Sequence, residues 1–527
     1  MSGREASTIN GLRATYNNVT LDSVNIQDNF IRTNALDFIP NRLFTDQIAE
    51  VTIATSNSST NSGGGASQVS FVTPSGSNQY RGNLYWFNRN NAVAANGFFS
   101  NRDGVERPFL NQNQIGGSLG GFVIKDKLFF YGNYEAYRLR QQELGNRTIL
   151  TEDARQGIYT YRDSSGQVQK VNILQLMGRS LDPHIQSLIN QLPSPSQANN
   201  FRLGDSNETF LRNTVGYSYN IRDNRTSDNV TAKVDYYLSE RNHFVGSMLW
   251  NRDIVDRPDL TTNFDTTPPV ANDGATKLFT AAWRWNPSAT FTNELRGGFN
   301  FAPGLFLTYN EKPEFFVGSM IFSNPVNTFL DQGRYTDTYN INNSTNWVKG
   351  RHNFLFGYQG QIMRINPFND AGIIPNYSVG INPNQAGLNT ADLPGISPAD
   401  LTLANNMLAT LAGLLNTATQ TFNVTSRTSG FVAGANDNRN YEFDMHGLFF
   451  QDNWKVTNRF TLNLGLRYDY FTVVNERDSL TLMPVVQGDL LSTLLGNYTL
   501  DFAGKSVGRP FYNADRNNFG PNDTELT

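Results

Sequence analysis

The strongest constraint on this chain is a long, regular alternation of side-chain character that recurs from residue 79 to residue 473. In RFTLNLGLRYDYF (459–471), Phe460, Leu462, Leu464, Leu466, Tyr468 and Tyr470 share one parity. Thr461, Asn463, Gly465, Arg467 and Asp469 share the other. A period of two places the greasy set on one face of a strand and the wet set on the opposite face. VTAKVDYYL sets Val230, Ala232, Val234, Tyr236 and Leu238 against Thr231, Lys233, Asp235 and Tyr237. TFTNELRGGFNF sets Phe291, Leu295, Phe299 and Phe301 against Thr292, Glu294, Arg296 and Asn300. Opposed charges such as Lys233 and Asp235 are costly in a dry core and cheap against a wet or plugged lumen.

Length separates the two kinds of two-faced sheet. Strand candidates fall at 79–88, 113–124, 127–138, 227–238, 242–252, 275–286, 290–302, 336–348, 352–366, 440–454 and 459–473. Most run about ten to fourteen residues, against ~5–6 for a globular strand and ~9–11 for one crossing a bilayer at a tilt. The connections also alternate. Tight turns at 125–127, 239–241, 286–288, 349–351 and 456–458 are separated by long polar loops at 89–112, 139–226, 253–274, 303–335 and 367–439. All tight turns then lie at one end, the layout of a membrane barrel with short periplasmic turns and long extracellular loops. The expected fold is all-β, a transmembrane antiparallel β-barrel.

The six tryptophans fit that frame. Trp86 and Trp250 fall near strand ends leading to long loops, and Trp283, Trp285, Trp347 and Trp454 fall near ends leading to tight turns. Two belts of amphipathic rings at headgroup level are the expected girdle against outer-membrane lipid. No run of eighteen apolar residues marks a transmembrane helix. The opening MSGREASTINGLR has no apolar signal core.

Composition narrows the function classes. Aromatic content is 12% and cysteine is absent, which removes zinc-ribbon, iron–sulfur and cysteine-nucleophile chemistry. The net charge of −4 argues against a nucleic-acid footprint. His184, His243, His352 and His446 have no metal-ligand spacing, so no metal or cofactor is expected. Gly116-Gly117-Ser118-Leu119-Gly120 matches a nucleophile-elbow pattern, but it lies inside a strand candidate with no helix after it. No catalytic residue is expected, and the chain is not read as an enzyme. A Ser397-Pro398 start and an Asp182-Pro183 start predict two capped helices within the long loops, packed on the loop layer.

Residues 1–75 differ, with short strand candidates at 18–21, 48–54 and 68–73 among Asn, Ser and Gly. GLRATYNNVTLDSVNIQDNFIRTN, DQIAEVTIATS and GGGASQVSFVTPSGSNQYRGNLYWFNRNN resemble the plug-to-barrel junction of TonB-dependent outer-membrane receptors, more narrowly their Oar-like branch. NGFFSNRDG, FLNQNQIGGSLGGFVIKDKLFFYGNYEAYR, AKVDYYLSERNHF and GLFFQDNWKVTNRFTLNLGLRYDYF extend the resemblance along nearly the whole chain. It implies a 22-stranded barrel enclosing a globular plug. It implies substrate binding at the extracellular mouth and import by plug movement, driven through the TonB complex by proton-motive force. About eleven of those strands are found, with no TonB box or first half of the plug, so the chain is expected to be a fragment. The expected layout is 1–76 for the C-terminal half of the plug, 77–475 for eleven strands, and 476–527 for an extracellular loop and a truncated or frameshifted end. Asp22 stands at the family's Asp-Gly position, but Ser23 replaces the Gly and puts the tight turn there in doubt. The plug apex loop, 25–44, offers Asn29, Phe30, Arg32 and Phe38 as substrate contacts, with a small molecule, peptide or carbohydrate as the class. The alternative functions are a surface adhesion or interaction role carried by the loops, or a truncated product without function.

Overall fold

The computed structural model describes residues 17–30, 40–55, 60–63, 67–93, 95–102, 104–486 and 498–502. The N-terminal part is a four-stranded sheet of β1 (Asn17–Leu21), β2 (Val24–Asn25), β3 (Glu50–Ala54) and β4 (Ser67–Val72), in the order β2-β1-β4-β3. β1 runs parallel to β4, and the other pairs are antiparallel. Val19, Leu21, Val24, Ile26 and Val69 are buried on one side of this sheet. They pack on Leu249 and Leu278, which belong to the large sheet.

The doubt at Ser23 is resolved in favour of the turn. Asp22 and Ser23 both take left-handed φ, at 46° and 66°, and close the β1–β2 hairpin. Two consecutive positive-φ residues are the geometry of a type I′ hairpin turn, which ordinarily selects Gly. A non-Gly residue pays about 1–2 kcal/mol there. Here the large sheet grips the turn: Arg296 Nη1 donates to the Asp22 carbonyl at 3.2 Å and Asn342 Nδ2 to the Ser23 carbonyl at 3.1 Å.

The large sheet is a meander of eleven long strands: β5 (Arg81–Asn90), β6 (Leu110–Ile124), β7 (Leu128–Leu150), β8 (Arg225–Ser239), β9 (Asn242–Asp256), β10 (Val270–Ser288), β11 (Phe291–Thr308), β12 (Gln332–Lys349), β13 (His352–Asn369), β14 (Tyr441–Thr457) and β15 (Phe460–Phe471). Each pairs antiparallel with the next. Every strand expected from the alternation is present. No ladder joins β5 to β15 among the described residues, so this is a partial barrel.

Its two faces are inverted relative to a soluble sheet. On β8, Ser227, Asn229, Thr231, Lys233 and Asp235 are buried, while Val234 is 47% and Leu238 53% exposed. Leu84, Leu464, Leu466 and Tyr468 are likewise exposed. Polar groups turned inward and apolar groups turned outward suit a sheet whose exterior solvent is hydrocarbon. No helix among the described residues is long and apolar enough to cross a membrane.

Several strands exceed their expected length. β7 has 23 residues, and its second half pairs not with β8 but with Thr214–Arg222, inside the expected 139–226 loop. The β10–β11 turn also falls at 289–290, just beyond the expected 286–288. Backbone ladders continue above the hydrocarbon, where side chains no longer need to alternate. Two capped helices sit among the loops as expected: α1 (Pro183–Asn190) with Asp182 as N-cap, and α2 (Pro398–Leu411) with Ser397 as N-cap. Beyond β15, Asn475–Glu476 pairs with β14, and Leu482–Val486 pairs with Tyr498–Phe502.

Candidate functional site

The inward parity of the strands builds the site. Along β8 to β12, inward positions present small hydroxyl and amide groups with a few charges, and the four-stranded sheet is seated on them. Lys233 Nζ donates to the Thr73 carbonyl at 2.9 Å. The Asp22 carboxylate accepts from Thr73 N at 3.1 Å, Thr73 Oγ1 at 2.7 Å and Ser247 Oγ at 2.7 Å. Arg296 also contacts Glu294, which Arg284 engages from β10. The strained hairpin turn is thereby tied directly to β9, β11 and β12, and through Thr73 to β8.

A second set of contacts lies toward the long-loop end. Arg334 Nε donates to Asp28 Oδ2 at 2.6 Å, and its Nη2 reaches the same oxygen. This is an ion pair with side chains only 9% and 2% exposed. Asn29 Nδ2 donates to Thr338 Oγ1 at 2.9 Å. The Phe30 ring packs against Ile365, Tyr441 and Val474. Asn41 Nδ2 donates to Asn300 Oδ1 at 2.9 Å. Of the four expected contact residues, Asn29 and Phe30 thus lean on the barrel wall, and Arg32 and Phe38 lie outside the described residues. Asp28 and Arg334 were not singled out from sequence. The signal available was parity, because Arg334 shares the inward register of Thr336 and Thr338.

The remaining anchors span the sheet. Tyr131 Oη donates to the Asp46 carbonyl at 2.5 Å and Asn83 Nδ2 to Asp46 Oδ2 at 2.6 Å. At the other edge, Gln359 Nε2 donates to the Asn61 carbonyl at 2.6 Å and Arg467 Nη1 to the Thr60 carbonyl at 3.0 Å. Contacts from β5 through β15 mean that the large sheet wraps the small one. Several buried inward polar atoms, including Thr231 Oγ1, Thr276 Oγ1 and Thr336 Oγ1, have no protein partner. Such a lining suits interfacial water.

The tryptophans all carry outward parity. Trp86 is 67% exposed, and Trp283, Trp285, Trp347 and Trp454 are each more than a third exposed. Trp250 is half-buried. Phe244 stacks on Trp283, whose indole N–H donates to Asn242 Oδ1 at 3.1 Å.

The long loops are not loose. Ile149, Leu150, Tyr159, Ile173, Ile185, Leu188, Leu408 and Leu411 are buried in one apolar cluster that joins the 139–226, 303–335 and 367–439 segments. Tyr159 Oη donates to the Asp400 carbonyl at 2.9 Å, tying two loops together. Hydrogen bonds from Ser165, Gln169 and the Gln167 backbone hold the Asp163 carboxyl at about 2. At the mouth, burial pushes the Asp370 carboxyl up against the pull of Lys312.

The elbow-like motif lies within a strand, not at a strand-to-helix turn. Ser118 lies within β6 and its hydroxyl donates to Asn83 Oδ1 at 2.8 Å. Gly116 makes room for the ring of Tyr85, since a Cβ there would lie 2.3 Å from the phenolic oxygen. The close neighbour at Gly116 is thus a side chain of the adjacent strand. Among the described residues no cluster of three or more His, Asp or Glu side chains is arranged to hold a metal.

Comparison with known proteins follows the geometry. No curated protein matches the chain. Solved structures similar to it include the outer membrane transporter YddB from Escherichia coli, at 11% identity and TM-score 0.48, covering 88% of this chain and 50% of that one. The ferric enterobactin receptor PfeA from Pseudomonas aeruginosa gives 10% identity and TM-score 0.45, covering 90% and 53%. The siderophore receptor PirA from Acinetobacter baumannii gives 10% and 0.46, covering 90% and 52%. The chain spans about half the length of these structures. The family model described as an outer membrane beta barrel domain matches residues 72–522. With its polar interior and apolar exterior, this chain belongs to the outer-membrane β-barrel domain family and resides in the bacterial outer membrane.

Proposed function

We propose that the chain supplies wall and plug to a TonB-dependent outer-membrane transporter of the Oar-like branch. Residues 1–76 act as the C-terminal half of the plug, 77–475 as eleven wall strands with their loops, and 476–527 as a further loop segment. The observation that carries this reading is the chemistry of the plug–wall contact. Apart from apolar contacts at Leu249 and Leu278 and around Phe30, it consists, among the described residues, of hydrogen bonds and two ion pairs, Asp28–Arg334 and Arg42–Asp253, on a polar wall. A hydrogen bond exchanged for water changes stability by only about 0.5–1.5 kcal/mol. A plug held that way can be displaced stepwise by a modest pull, as a gate requires. Substrate enters from the loop side, where Asn29, Phe30, Arg32 and Phe38 form the plug apex. Aromatic and amide groups there suit a carbohydrate, a peptide or another small polar molecule. The tryptophans form the interfacial girdle in contact with lipid.

The test is a reversible lock. The chain has no cysteine, so Asn29→Cys with Thr338→Cys introduces the only thiols, at positions whose side chains already touch. Cells expressing the protein are given labelled oligosaccharides and peptides, with and without a proton uncoupler. The transport reading expects uptake that vanishes on oxidation, returns with a reductant, and is absent with the uncoupler. Uptake indifferent to both lock and uncoupler rejects it.

A second reading, surface adhesion with little transport, is favoured by one observation. The loops share a hydrophobic core that includes Tyr159, Ile185 and Leu408, and they are therefore a folded layer rather than flexible strings. Binding of loop-bearing cells to host or neighbour surfaces, unaffected by the lock, would support that reading instead.

A further inference from the structure

The lipid-facing side carries a feature that transport does not use. Gly246, Ala281 and Gly297 are direct cross-strand partners on β9, β10 and β11, with Val234 and Ile341 ending the row. Two residues nearer the tight turns, Phe244, Trp283 and Leu295 form a parallel row of large side chains. Two residues nearer the loops, Met248, Phe279 and Phe299 form another. The small row, with Phe244, Trp283 and Leu295 below it and Val234 and Ile341 at its ends, leaves an almost wholly apolar groove of about 510 Å³ on the outer surface.

Directly above the upper row the outward positions change character. Lys277 stands in register with Trp250 on β9. It is exposed, and no hydrogen bond or ion pair engages its ammonium among the described residues. Arg252 follows one pleat higher, 52% exposed and 3.4 Å from Asp273. Arg138 and Arg140 hold the same outward parity on β7, with Asp228 against Arg138 at 2.6 Å. Four cations thus face two carboxylates at this level. A lone lysine beside a tryptophan is ordinary snorkelling toward the interface. Snorkelling does not account for a cationic surplus set over an apolar groove on the same strands.

Depth joins the two parts. Ala281 lies four residues below Lys277 on β10, about 13 Å along the strand at ~3.3 Å per residue. With strands tilted by ~35–45°, that is roughly 10 Å of depth. This is the span between a headgroup phosphate and the upper part of its acyl chain. We propose that β7 to β11 form a binding site for a phosphate-bearing lipid of the outer leaflet, with the phosphate on Lys277 and Arg252 and an acyl chain in the Gly246–Ala281–Gly297 groove. The charge surplus selects an anionic headgroup, and the groove selects a lipid rather than a soluble phosphate. The inference rests on residence in the outer membrane and not on the transport reading.

The test uses the full chain in detergent and native mass spectrometry. The probes are diphosphoryl lipid A and its monophosphoryl form, which share acyl chains and differ by one phosphate. The wild-type protein is expected to retain the diphosphoryl form preferentially. Lys277→Gln with Arg252→Gln is expected to erase that preference, at about fivefold for each cation removed. Ala281→Phe, which fills the groove, is expected to weaken retention of both lipids alike. Equal retention of the two lipids by the wild-type protein overturns the proposal, and that comparison needs no variant to fold. Unchanged preference in the double variant, with strand content preserved by circular dichroism, overturns the assignment to Lys277 and Arg252.

Discussion

The buried pair between Asp28 and Arg334 gives the most direct measure of how the plug is held. Arg334→Met keeps the apolar stem but removes the guanidinium. Asp28 then stays 3% exposed without the Arg334 guanidinium beside it. Breaking a buried pair from one side costs about 3–5 kcal/mol, because the charge that stays buried retains its desolvation penalty. The Phe30 N–H still donates to Asp28 Oδ1 at 2.9 Å, so the lower end, about 3 kcal/mol, is expected. That is roughly a 150-fold shift between seated and unseated plug. Adding Asp28→Asn removes the buried charge and should recover part of the loss.

The assay is native-state hydrogen exchange, which reads local opening without requiring reversible unfolding of the barrel. The amides of Val19 and Leu21 in β1 report the plug, and those of Leu249 and Leu278 report the wall. Arg334→Met should speed exchange at β1 by about two orders of magnitude and leave the wall nearly unchanged. Acceleration of β1 by less than about fivefold would refute the reasoning. So would a double variant that exchanges as fast as the single one, because the cost would then not come from the buried Asp28 charge.

Three further outcomes follow from burial and charge. Phe279→Arg puts a cation on the outward face, where Phe279 is 42% exposed, and should cost about 2 kcal/mol at that depth, whereas Thr280→Ser one residue away should cost under about 1 kcal/mol; thermal melting in matched detergent compares them. Leu408→Ala empties a fully buried position in the loop layer and should cost that layer about 2–5 kcal/mol, seen as faster proteolytic nicking within 367–439 while the barrel band survives. Burial raises the Asp370 carboxyl, so its contribution to mouth stability is fully present below about 3.9, its unfolded value, and is lost as pH rises through the folded value. Asp370→Asn should therefore flatten the pH dependence and be at least as stable near neutrality, and a slope that stays or reverses between pH 3 and 7 counts against it.

The parts legible in sequence are those on which the bilayer imposes a rule. A strand crossing hydrocarbon must be long, two-faced and paired, and eleven such segments were read at their places from that rule alone. The helix starts at Ser397 and Asp182 were legible because capping is local chemistry. Above the membrane the rule lapses. QQELGNRTIL (141–150) has no apolar face to announce a strand, yet it continues β7 because the Thr214–Arg222 backbone is there to pair with. The Asp28–Arg334 pair was illegible for a different reason. Its members are 306 residues apart, and only the seating of the plug brings them together. The Asp22–Ser23 turn failed a local rule, and long-range contacts to Arg296 and Asn342 compensate.

Those compensations bear on how a plug of this kind could move. Among the described residues, its buried apolar set is Val19, Leu21, Val24, Ile26 and Val69, completed by Leu249 and Leu278 of the wall. A small sheet with so few core side chains is marginal on its own. Lifting it out intact would expose apolar surface worth about 1.5–3 kcal/mol for each large side chain, and would leave the left-handed Asp22–Ser23 turn without the wall contacts that support it. Loosening β1 from its neighbours in place breaks hydrogen bonds that inward-facing hydroxyls and water can replace. On the transport reading, a pull on this plug therefore remodels the sheet within the barrel before it displaces it. In exchange measurements β1 should then open independently of β3, whereas rigid-body exit would open both together.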